Sequence, residues 1–150
     1  MRNRVFTVLN LIFVPLFAVF SWFQINDTDK AIYENASLFD AWSWVVFYGL
    51  IAVSFGLAVA KIRPWPLYLL MIGFCVYELI DTGPGLYRNL FGDEEFTMMQ
   101  NSMSAEDPRV ELSREFFGAV IALVAIGFLW LQRRFTSKED PKPSQPQPAD

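Results

Sequence analysis

Four long apolar stretches, separated by polar segments, dominate the pattern of the chain. The first, residues 5–25, contains no charged residue. As a helix that rises about 1.5 Å per residue, it would reach roughly 31 Å, which is enough to cross a bilayer core of about 30 Å. The other three cover residues 42–60, 64–80 and 110–132. The pattern therefore predicts an all-α integral membrane protein, a bundle of four transmembrane helices.

The polar segments complete the predicted organisation. Residues 1–4 precede the first span, which we expect to be retained as an anchor because its apolar run is longer than that of a signal peptide. Loops at residues 26–41 and 81–109 lie on one side of the membrane, and a turn at residues 61–63 lies on the other. Residues 133–150 are polar and rich in proline, and we expect them to form a disordered tail.

Two local motifs predict helix boundaries. The segment Asp81–Gly85 (Asp-Thr-Gly-Pro-Gly) is typical of a helix stop followed by a turn, so the third helix is expected to end before it. Asp107 followed by Pro108 is typical of a helix start, because aspartate caps free amides and proline is favoured in the first turn. The fourth helix is therefore expected to begin there.

Charge is distributed unequally between the two sides. Eight of the twelve basic residues lie in segments 1–4, 61–63 and 133–150, whereas thirteen of the sixteen acidic residues lie in the other loops or on the helix ends that face them. Since basic flanks of membrane spans stay in the cytoplasm, this bias predicts that both termini are cytoplasmic and both long loops extracytoplasmic. All five tryptophans fall near predicted interfaces, where an amphipathic ring is favoured: Trp22, Trp42, Trp44, Trp65 and Trp130.

Composition narrows the chemistry. Hydrophobic residues make up 53% of the 150 residues, more than a soluble domain of this size could cover. The absence of histidine excludes Ser-His-Asp catalysis and histidine-ligated zinc or haem. A single cysteine, Cys75, excludes an intrachain disulfide, and the lack of a basic block argues against a nucleic-acid partner. We therefore assign no catalytic residue, no metal ligand and no cofactor.

Polar residues collect at the predicted outer end of the spans. Glu111, Arg114, Glu115 and Gly118 follow helical spacing and share one face of the fourth span. This face is either a polar pocket with Arg114 as its fixed cation or a set of solvated charges around a helix start. Glu78 lies close to hydrocarbon and needs a partner, for which Arg114 is the natural candidate. The predicted binding cluster comprises Asn26, Asp27, Asp29, Glu78, Glu111, Arg114 and Glu115.

The acidic turn after the first span offers a weak signal for a hard cation. Asp27 and Asp29 could bind Ca²⁺ or Mg²⁺, but the segment lacks the glycine and the bidentate glutamate of an EF-hand loop. A capped turn is the favoured interpretation.

The first span carries a polar seam inside apolar sequence. Asn10, Ser21 and Gln24 belong to a row of residues spaced by three or four positions, which faces a partner helix. An amide in hydrocarbon needs a partner, so we favour hydrogen bonding between helices over a transport path. On the second span, Ala52 and Gly56 belong to a small-residue stripe that favours close helix packing, either within the chain or in a dimer.

Several pieces of sequence, taken in order, resemble the transmembrane protein 220 family. They are Asn10, Gln24-Ile-Asn26-Asp27-Thr-Asp29, Trp44-Val-Val-Phe-Tyr48 and Glu111-x-x-Arg114-Glu115-x-x-Gly118-x-x-Ile121, and the resemblance covers most of residues 1–130. Because the family consists of small four-helix membrane proteins without an established activity, the resemblance implies the fold but no chemistry. Thr28 stands where the family has proline, so the resemblance does not carry a shared ligand over to that turn.

Three classes of function remain open. The helix-packing motifs favour a non-enzymatic accessory or scaffold subunit, surrounded by the lipid bilayer and assembled with a membrane protein or a second copy. The alternative is a small ion- or solute-binding carrier that uses the outer carboxylates and Arg114, although no charged residue falls in mid-span. An intramembrane enzyme that uses Glu111 and Glu115 ranks last because no nucleophile–base motif accompanies them. The chain is expected to be a multi-pass protein of the plasma membrane, or of the inner membrane if the organism is bacterial.

Overall fold

The chain folds as a bundle of long helices. The computed structural model describes residues 2–26, 33 and 37–136, of which residues 2, 3, 26 and 136 are described by their backbone alone. Within these residues the long helices are α1 at Arg2–Phe23, α2 at Leu38–Val59, α3 at Trp65–Phe91 and α4 at Arg109–Thr136. Each contains a stretch that is long and apolar enough to cross a membrane. The predicted fold class is confirmed, whereas the direction in which the chain threads the membrane stays a prediction.

The helices pack as two pairs. α1 lies along α2, α3 lies along α4, and α2 also contacts α4. The interior between them is filled by large apolar side chains, such as Phe17 of α1, whose ring stacks on Phe55 of α2 at 5.8 Å. The outer faces are apolar as well, with Leu70 and Val124 more than half exposed. Apolar groups on both the inside and the outside suit a bundle that lipid surrounds.

The prediction that Asp81–Gly85 stops the third helix is wrong. α3 continues through this segment as far as Phe91, although Pro84 lacks an amide hydrogen for the helix. Gly85 packs so closely on Leu112 of α4 that an added Cβ would overlap that side chain. Packing on α4 therefore outweighs the local preference for a turn, and Glu78 lies more than three turns from the end of its helix rather than next to it.

The fourth helix begins one residue after the predicted start, at Arg109. The Asp107 carboxylate does not cap backbone amides in the described part of the chain, because it accepts from Arg109 Nε at 2.8 Å and from Arg88 at 3.3 Å. α4 ends at Thr136, so the first residues of the predicted disordered tail, 133–136, are helical. The remainder of that tail lies outside the described residues.

The turn between α2 and α3 closes with paired backbone hydrogen bonds. The Ile62 amide donates to the Leu57 carbonyl at 2.8 Å, and the Lys61 amide donates to the Ala58 carbonyl at 3.1 Å. This pattern places Lys61 in the left-handed region, with φ at 61°. Glycine is usual at this position, because the conformation costs other residues about 1 kcal/mol. The chain nevertheless keeps a basic residue here.

The tryptophans divide into two groups. Trp22, Trp42, Trp65 and Trp130 are exposed near helix ends, as an interfacial role requires. Trp44 is only 3% exposed and lies inside the bundle, so the interfacial placement predicted for it is wrong. Its ring packs against Phe74 of α3 at 5.4 Å, which fixes it in the interior.

Candidate functional site

The end of the bundle at which α2 and α4 begin holds a cavity of about 140 Å³, here called the end cavity. Trp44 and Tyr48 of α2 line it, as do Glu111 and Glu115 of α4. Each pair is four residues apart, which places its members one turn apart on the same helix face. The lining residues are Gln24, Tyr33, Trp44, Tyr48, Met103, Glu111, Arg114 and Glu115. The structure thus brings three residues of the sequence-predicted cluster to one cavity.

The aromatic wall of the end cavity contains a buried donor without an acceptor. The rings of Trp44 and Tyr48 stack with centroids 5.5 Å apart. The indole Nε1 of Trp44 is buried and has no hydrogen-bond partner among the described residues. Leaving a buried donor unpaired costs about 1–3 kcal/mol. Trp44 therefore brings an unused donor to the region of the cavity.

A glycine allows this wall to meet α4. A Cβ added at Gly118 would lie 2.5 Å from the hydroxyl oxygen of Tyr48, closer than side chains tolerate. Ala122, one turn further along α4, is fully buried. Gly118 and Ala122 therefore form a packing surface of small residues on α4, which holds the Tyr48 phenol at the edge of the end cavity.

The end cavity is acidic. Glu111 is 4% exposed, and Glu115 is half-buried beside it. Glu115 lies within electrostatic range of Glu78, which is itself 7% exposed, and of Asp40 and Asp81. Arg114 is the one cation among the described residues that line the cavity. The cavity therefore favours ligands that carry positive charge and offers one fixed site for negative charge.

Arg114 has no carboxylate within ion-pair distance in the described part of the chain. Its Nη1 lies 3.5 Å from the Met103 sulfur, and its side chain is exposed. The predicted ion pair with Glu78 is not formed. Glu78 lies within electrostatic range of Glu115, whereas Arg114 is not among the charges that act on Glu78. The guanidinium is thus available to a ligand.

A larger space of about 620 Å³, here called the lateral groove, adjoins the end cavity. The two spaces share Gln24, Tyr33, Tyr48 and Arg114. The groove is otherwise lined by Phe20 and Phe23 of α1, Met98 and Gln100 of the second long loop, and Phe117, Gly118 and Ile121 of α4. Phe23, Phe117 and Ile121 are each more than 40% exposed, so the groove opens on the outer surface of the bundle.

The three residues of the predicted polar seam on α1 make different contacts. Asn10 pairs with Gln132 of α4 at the opposite end of the bundle, far along the helix from the end cavity. The Ser21 hydroxyl donates to the Val45 carbonyl at 2.7 Å and so joins α1 to α2. Only Gln24 reaches the end cavity and the lateral groove.

The acidic turn cannot be placed at either space. Asp27 and Asp29 lie outside the described residues, and the side chain of Asn26 is not described. Among the residues that the structure describes, no group of three or more histidine, cysteine or acidic side chains is arranged to hold a metal ion.

The second long loop is held by residues that sequence reasoning missed. The Arg109 guanidinium donates to Asp107 at 2.8 Å and to Asn89 Oδ1 at 3.3 Å. Asn89, fully buried near the end of α3, donates to the Thr97 carbonyl at 2.8 Å. In the sequence Arg109 is one of twelve basic residues, and its spacing does not distinguish it from the others. These contacts fold the loop back over the helix ends, where Met103 contacts Arg114.

Comparison with known proteins places the chain in a family. Residues 16–131 match the family described as Transmembrane family 220, helix, which is more than half of the chain. The chain belongs to transmembrane family 220. No curated protein and no solved structure matches it. The segment that matches transmembrane family 220 contains every described lining residue of the end cavity, whereas Asn10 and Gln132 lie outside it.

Proposed function

We propose that this chain is a non-enzymatic membrane protein that binds a small zwitterionic solute in the end cavity. One observation carries the proposal: Arg114, which has no carboxylate within ion-pair distance in the described part of the chain, shares a cavity wall with the carboxyl groups of Glu111 and Glu115. A ligand that carries both an anionic and a cationic group matches this arrangement.

The other features of the end cavity support the same ligand chemistry. Trp44 and Tyr48 offer aromatic surface, which attracts ammonium groups through the negative face of the ring. The volume of about 140 Å³ admits several non-hydrogen atoms, since one water needs only about 10–15 Å³ on a comparable measure. The same wall also contains the buried indole N–H of Trp44, which has no acceptor among the described residues.

The residue types of this chain suit ligand binding better than they suit catalysis. The chain has no histidine, and its one cysteine, Cys75, is fully buried. Of the classes left open by the sequence, the proposal therefore selects the ion- or solute-binding one. The sequence argument against a carrier was that no charge falls in mid-span. That premise is wrong, because α3 runs from Trp65 to Phe91 and Glu78 lies at its middle.

A titration that reads Trp44 directly tests the proposal. Full-length protein with ¹⁵N-labelled indoles is purified in a mild detergent and titrated with O-phosphoethanolamine, and the spectrum of Trp44→Phe identifies the Trp44 resonance. We expect this resonance to shift with concentration. Ethanolamine alone or inorganic phosphate alone should bind about tenfold more weakly, because each makes only one of the two charged contacts.

Matched variants separate specific binding from general effects. Arg114→Gln and Glu115→Gln should lose the shift, whereas Arg88→Gln should retain it because Arg88 pairs with Asp107 and does not line the cavity. A Trp44 resonance that stays unmoved in the wild-type protein, or that shifts equally in Arg114→Gln, contradicts the proposal.

A second candidate is the accessory or scaffold role, with a second copy as partner. Ala52 is buried within the bundle, but a Cβ added at Gly56 on the same helix would meet nothing within 4 Å. An open glycine lets a neighbouring helix approach closely in a membrane. Energy transfer between labelled copies in vesicles tests this role: Gly56→Leu should abolish a signal that Val53→Leu leaves intact, and an absent wild-type signal rejects the second copy.

We also propose that the end cavity opens on the extracytoplasmic side of the membrane. The charge bias supports this orientation, because Lys61, Arg63 and Arg133 belong to the opposite end of the bundle.

A further inference from the structure

We infer that the basic end of the bundle, where α2 ends and α3 begins, binds the phosphate of an anionic phospholipid through Arg63, Arg133 and the hydroxyl of Tyr68. This inference goes beyond the proposed function, because the site lies at the end of the bundle opposite the end cavity. It is carried by a buried donor without an acceptor in the described part of the chain, on which two arginines from different elements act.

The hydroxyl of Tyr68 is this donor. Tyr68 lies in the first turn of α3, and its side chain is only 1% exposed. Its hydroxyl is buried and has no hydrogen-bond partner among the residues that the structure describes. Buried hydroxyls are normally paired, and leaving one unpaired costs free energy. A phosphate oxygen is a strong acceptor and supplies the hydrogen bond that the bundle does not.

Two arginines bring positive charge to this hydroxyl. Arg63 belongs to the turn between α2 and α3, Arg133 belongs to the last turn of α4, and both act electrostatically on Tyr68. Arg63 is half-buried and Arg133 is exposed, so the site reaches the surface of the bundle. Both arginines also have other interactions within the protein. A guanidinium has five N–H donors in a planar fork, so it can keep such an interaction and still bind phosphate oxygens.

The described residues at the basic end carry positive charge without a carboxylate. Residues 1–26, 41–77 and 116–138 contain no acidic residue, and they include all of α1 and the parts of the other three helices nearest this end. The exposed Lys61 adds a further positive charge to the turn before α3. The ammonium group of a zwitterionic headgroup therefore meets like charge here, whereas an anionic headgroup meets opposite charge. This difference selects anionic lipids.

Exposed tryptophans place the site at the depth of lipid headgroups. Trp65 begins α3 and is 53% exposed, and Trp130 near the end of α4 is 44% exposed. Tryptophan rings at the ends of membrane helices favour the interface between headgroups and hydrocarbon. Arg63 precedes Trp65 by two residues and Arg133 follows Trp130 by three, so both guanidinium groups are within reach of the headgroup phosphates. The ligand is therefore a lipid phosphate rather than free phosphate from solution.

Lipid titrations followed by native mass spectrometry test the inference. Full-length protein in a mild detergent is titrated with phosphatidylglycerol or phosphatidylcholine of identical acyl chains, and the peaks with bound lipid give the affinity for each. We expect phosphatidylglycerol to bind about tenfold more tightly, and we expect Arg63→Gln and Arg133→Gln each to reduce its affinity about fivefold. Inorganic phosphate at the same concentration as the lipid should not displace it.

Arg134→Gln is the matched control. Arg134 is adjacent to Arg133 and carries the same charge, but its guanidinium lies over the Trp130 ring, 4.2 Å from the ring centroid. Arg134 is also not among the charges that act on Tyr68. Arg134→Gln should therefore retain the preference for phosphatidylglycerol, although it removes as much charge as Arg133→Gln.

Tyr68→Phe distinguishes a hydroxyl that binds a ligand from one that supports the fold. Because the hydroxyl has no partner in the described part of the chain, its removal should not lower the free energy of unfolding in lipid-free micelles. The same variant should bind phosphatidylglycerol about tenfold more weakly, because it lacks the hydrogen bond to the charged phosphate.

Three kinds of result would each contradict the inference. Equal binding of the two lipids, or equal losses in Arg133→Gln and Arg134→Gln, would show that the site does not select the lipid. Displacement by inorganic phosphate would make free phosphate the ligand. Tyr68→Phe that binds like the wild-type protein, or that unfolds more easily without lipid, would remove the hydroxyl from the site. None of these variants changes a residue that lines the end cavity, so the proposed function is tested separately.

Discussion

The side-chain amides of Asn10 and Gln132 donate hydrogen bonds to each other between α1 and α4, at 3.1 Å from Asn10 and 2.8 Å from Gln132. Both residues are buried, and they lie 122 positions apart in the chain. A reciprocal amide pair satisfies a donor and an acceptor on each side chain at once, which matters because lipid offers no alternative partner. The pair joins the first and last long helices at the end of the bundle opposite the end cavity.

Removal of either amide should destabilise the bundle and reveal coupling between the two. We expect Asn10→Ala and Gln132→Ala each to lower the free energy of unfolding, with a coupling energy of about 0.5–2 kcal/mol in the double variant. Unfolding in mixed micelles with increasing SDS measures this. Ser54→Ala provides the control, because its hydroxyl is buried without a partner among the described residues and should combine additively with Asn10→Ala. Additive effects of Asn10→Ala and Gln132→Ala would refute the coupling.

The sequence could predict that Asn10 needs a partner but not which residue provides it. The seam on α1 followed from helical spacing alone, whereas the pairing with Gln132 depends on how α1 meets α4 in three dimensions. The four helices were predictable for a similar reason, since length and hydropathy are properties of a single segment. The continuation of α3 through Pro84 was not, because its contact with α4 decides it.

In the candidate site, too, features that depend on one helix were predictable, and contacts between helices were not. The shared face of Glu111, Arg114 and Glu115 followed from spacing, and the structure brings all three to the end cavity. The prediction of an ion pair between Arg114 and Glu78 is wrong, and spacing could not decide it because the pairing depends on how α4 faces α3; Glu115 is the residue of α4 within electrostatic range of Glu78. The burial of Trp44 could not be predicted from the sequence, because a tryptophan near a helix end is usually interfacial. Only its contact with α3 shows that it lies inside the bundle.

The contact between Gly118 and Tyr48 should make this glycine sensitive to substitution. Gly118→Ala would place a Cβ 2.5 Å from the Tyr48 hydroxyl oxygen, so we expect a loss of about 1–3 kcal/mol in the free energy of unfolding. Adding Tyr48→Phe should recover most of that loss, because the next ring atom would lie at an ordinary 3.8 Å. The same unfolding assay in micelles measures both variants.

Gly127 is the matched control on the same helix. An added Cβ there meets nothing within 4 Å, so Gly127→Ala should be neutral or stabilising by about 0.5–1 kcal/mol. Equal losses for Gly118→Ala and Gly127→Ala, or no recovery with Tyr48→Phe, would show that the contact with Tyr48 does not set the separation of α2 and α4.

Arg109 should control the order of the second long loop. Its side chain is 11% exposed and contacts Asp107, Asn89 and the Glu95 carbonyl. Lysine lacks the several N–H donors of the planar guanidinium. We therefore expect Arg109→Lys to lose hydrogen bonds that each contribute about 1.5–3 kcal/mol to stability. Hydrogen exchange at residues 93–107 should accelerate accordingly, while exchange in the middle of α4 stays unchanged.

Arg88→Lys is the control for loop order, because the Arg88 side chain is 62% exposed and pairs with Asp107 at 3.3 Å. Exposed pairs contribute about 1 kcal/mol or less, so its exchange pattern should resemble that of the wild-type protein. Matching patterns for Arg88→Lys and Arg109→Lys would mean that Arg109 does not organise the loop.

The orientation of the bundle can be tested at the two ends of α3. Lys61 and Asp93 are both exposed and flank this helix, so a helix that crosses the membrane places them on opposite sides. We expect the basic turn at Lys61 to be cytoplasmic, because basic flanks resist translocation, and the loop at Asp93 to be outside.

In a Cys75→Ala background, a membrane-impermeant maleimide applied to bacterial spheroplasts should label Asp93→Cys at once and Lys61→Cys only after permeabilisation. The Cys75→Ala protein alone should remain unlabelled throughout. Labelling of Lys61→Cys in intact spheroplasts, with Asp93→Cys protected, would invert the orientation and turn the end cavity toward the cytoplasm.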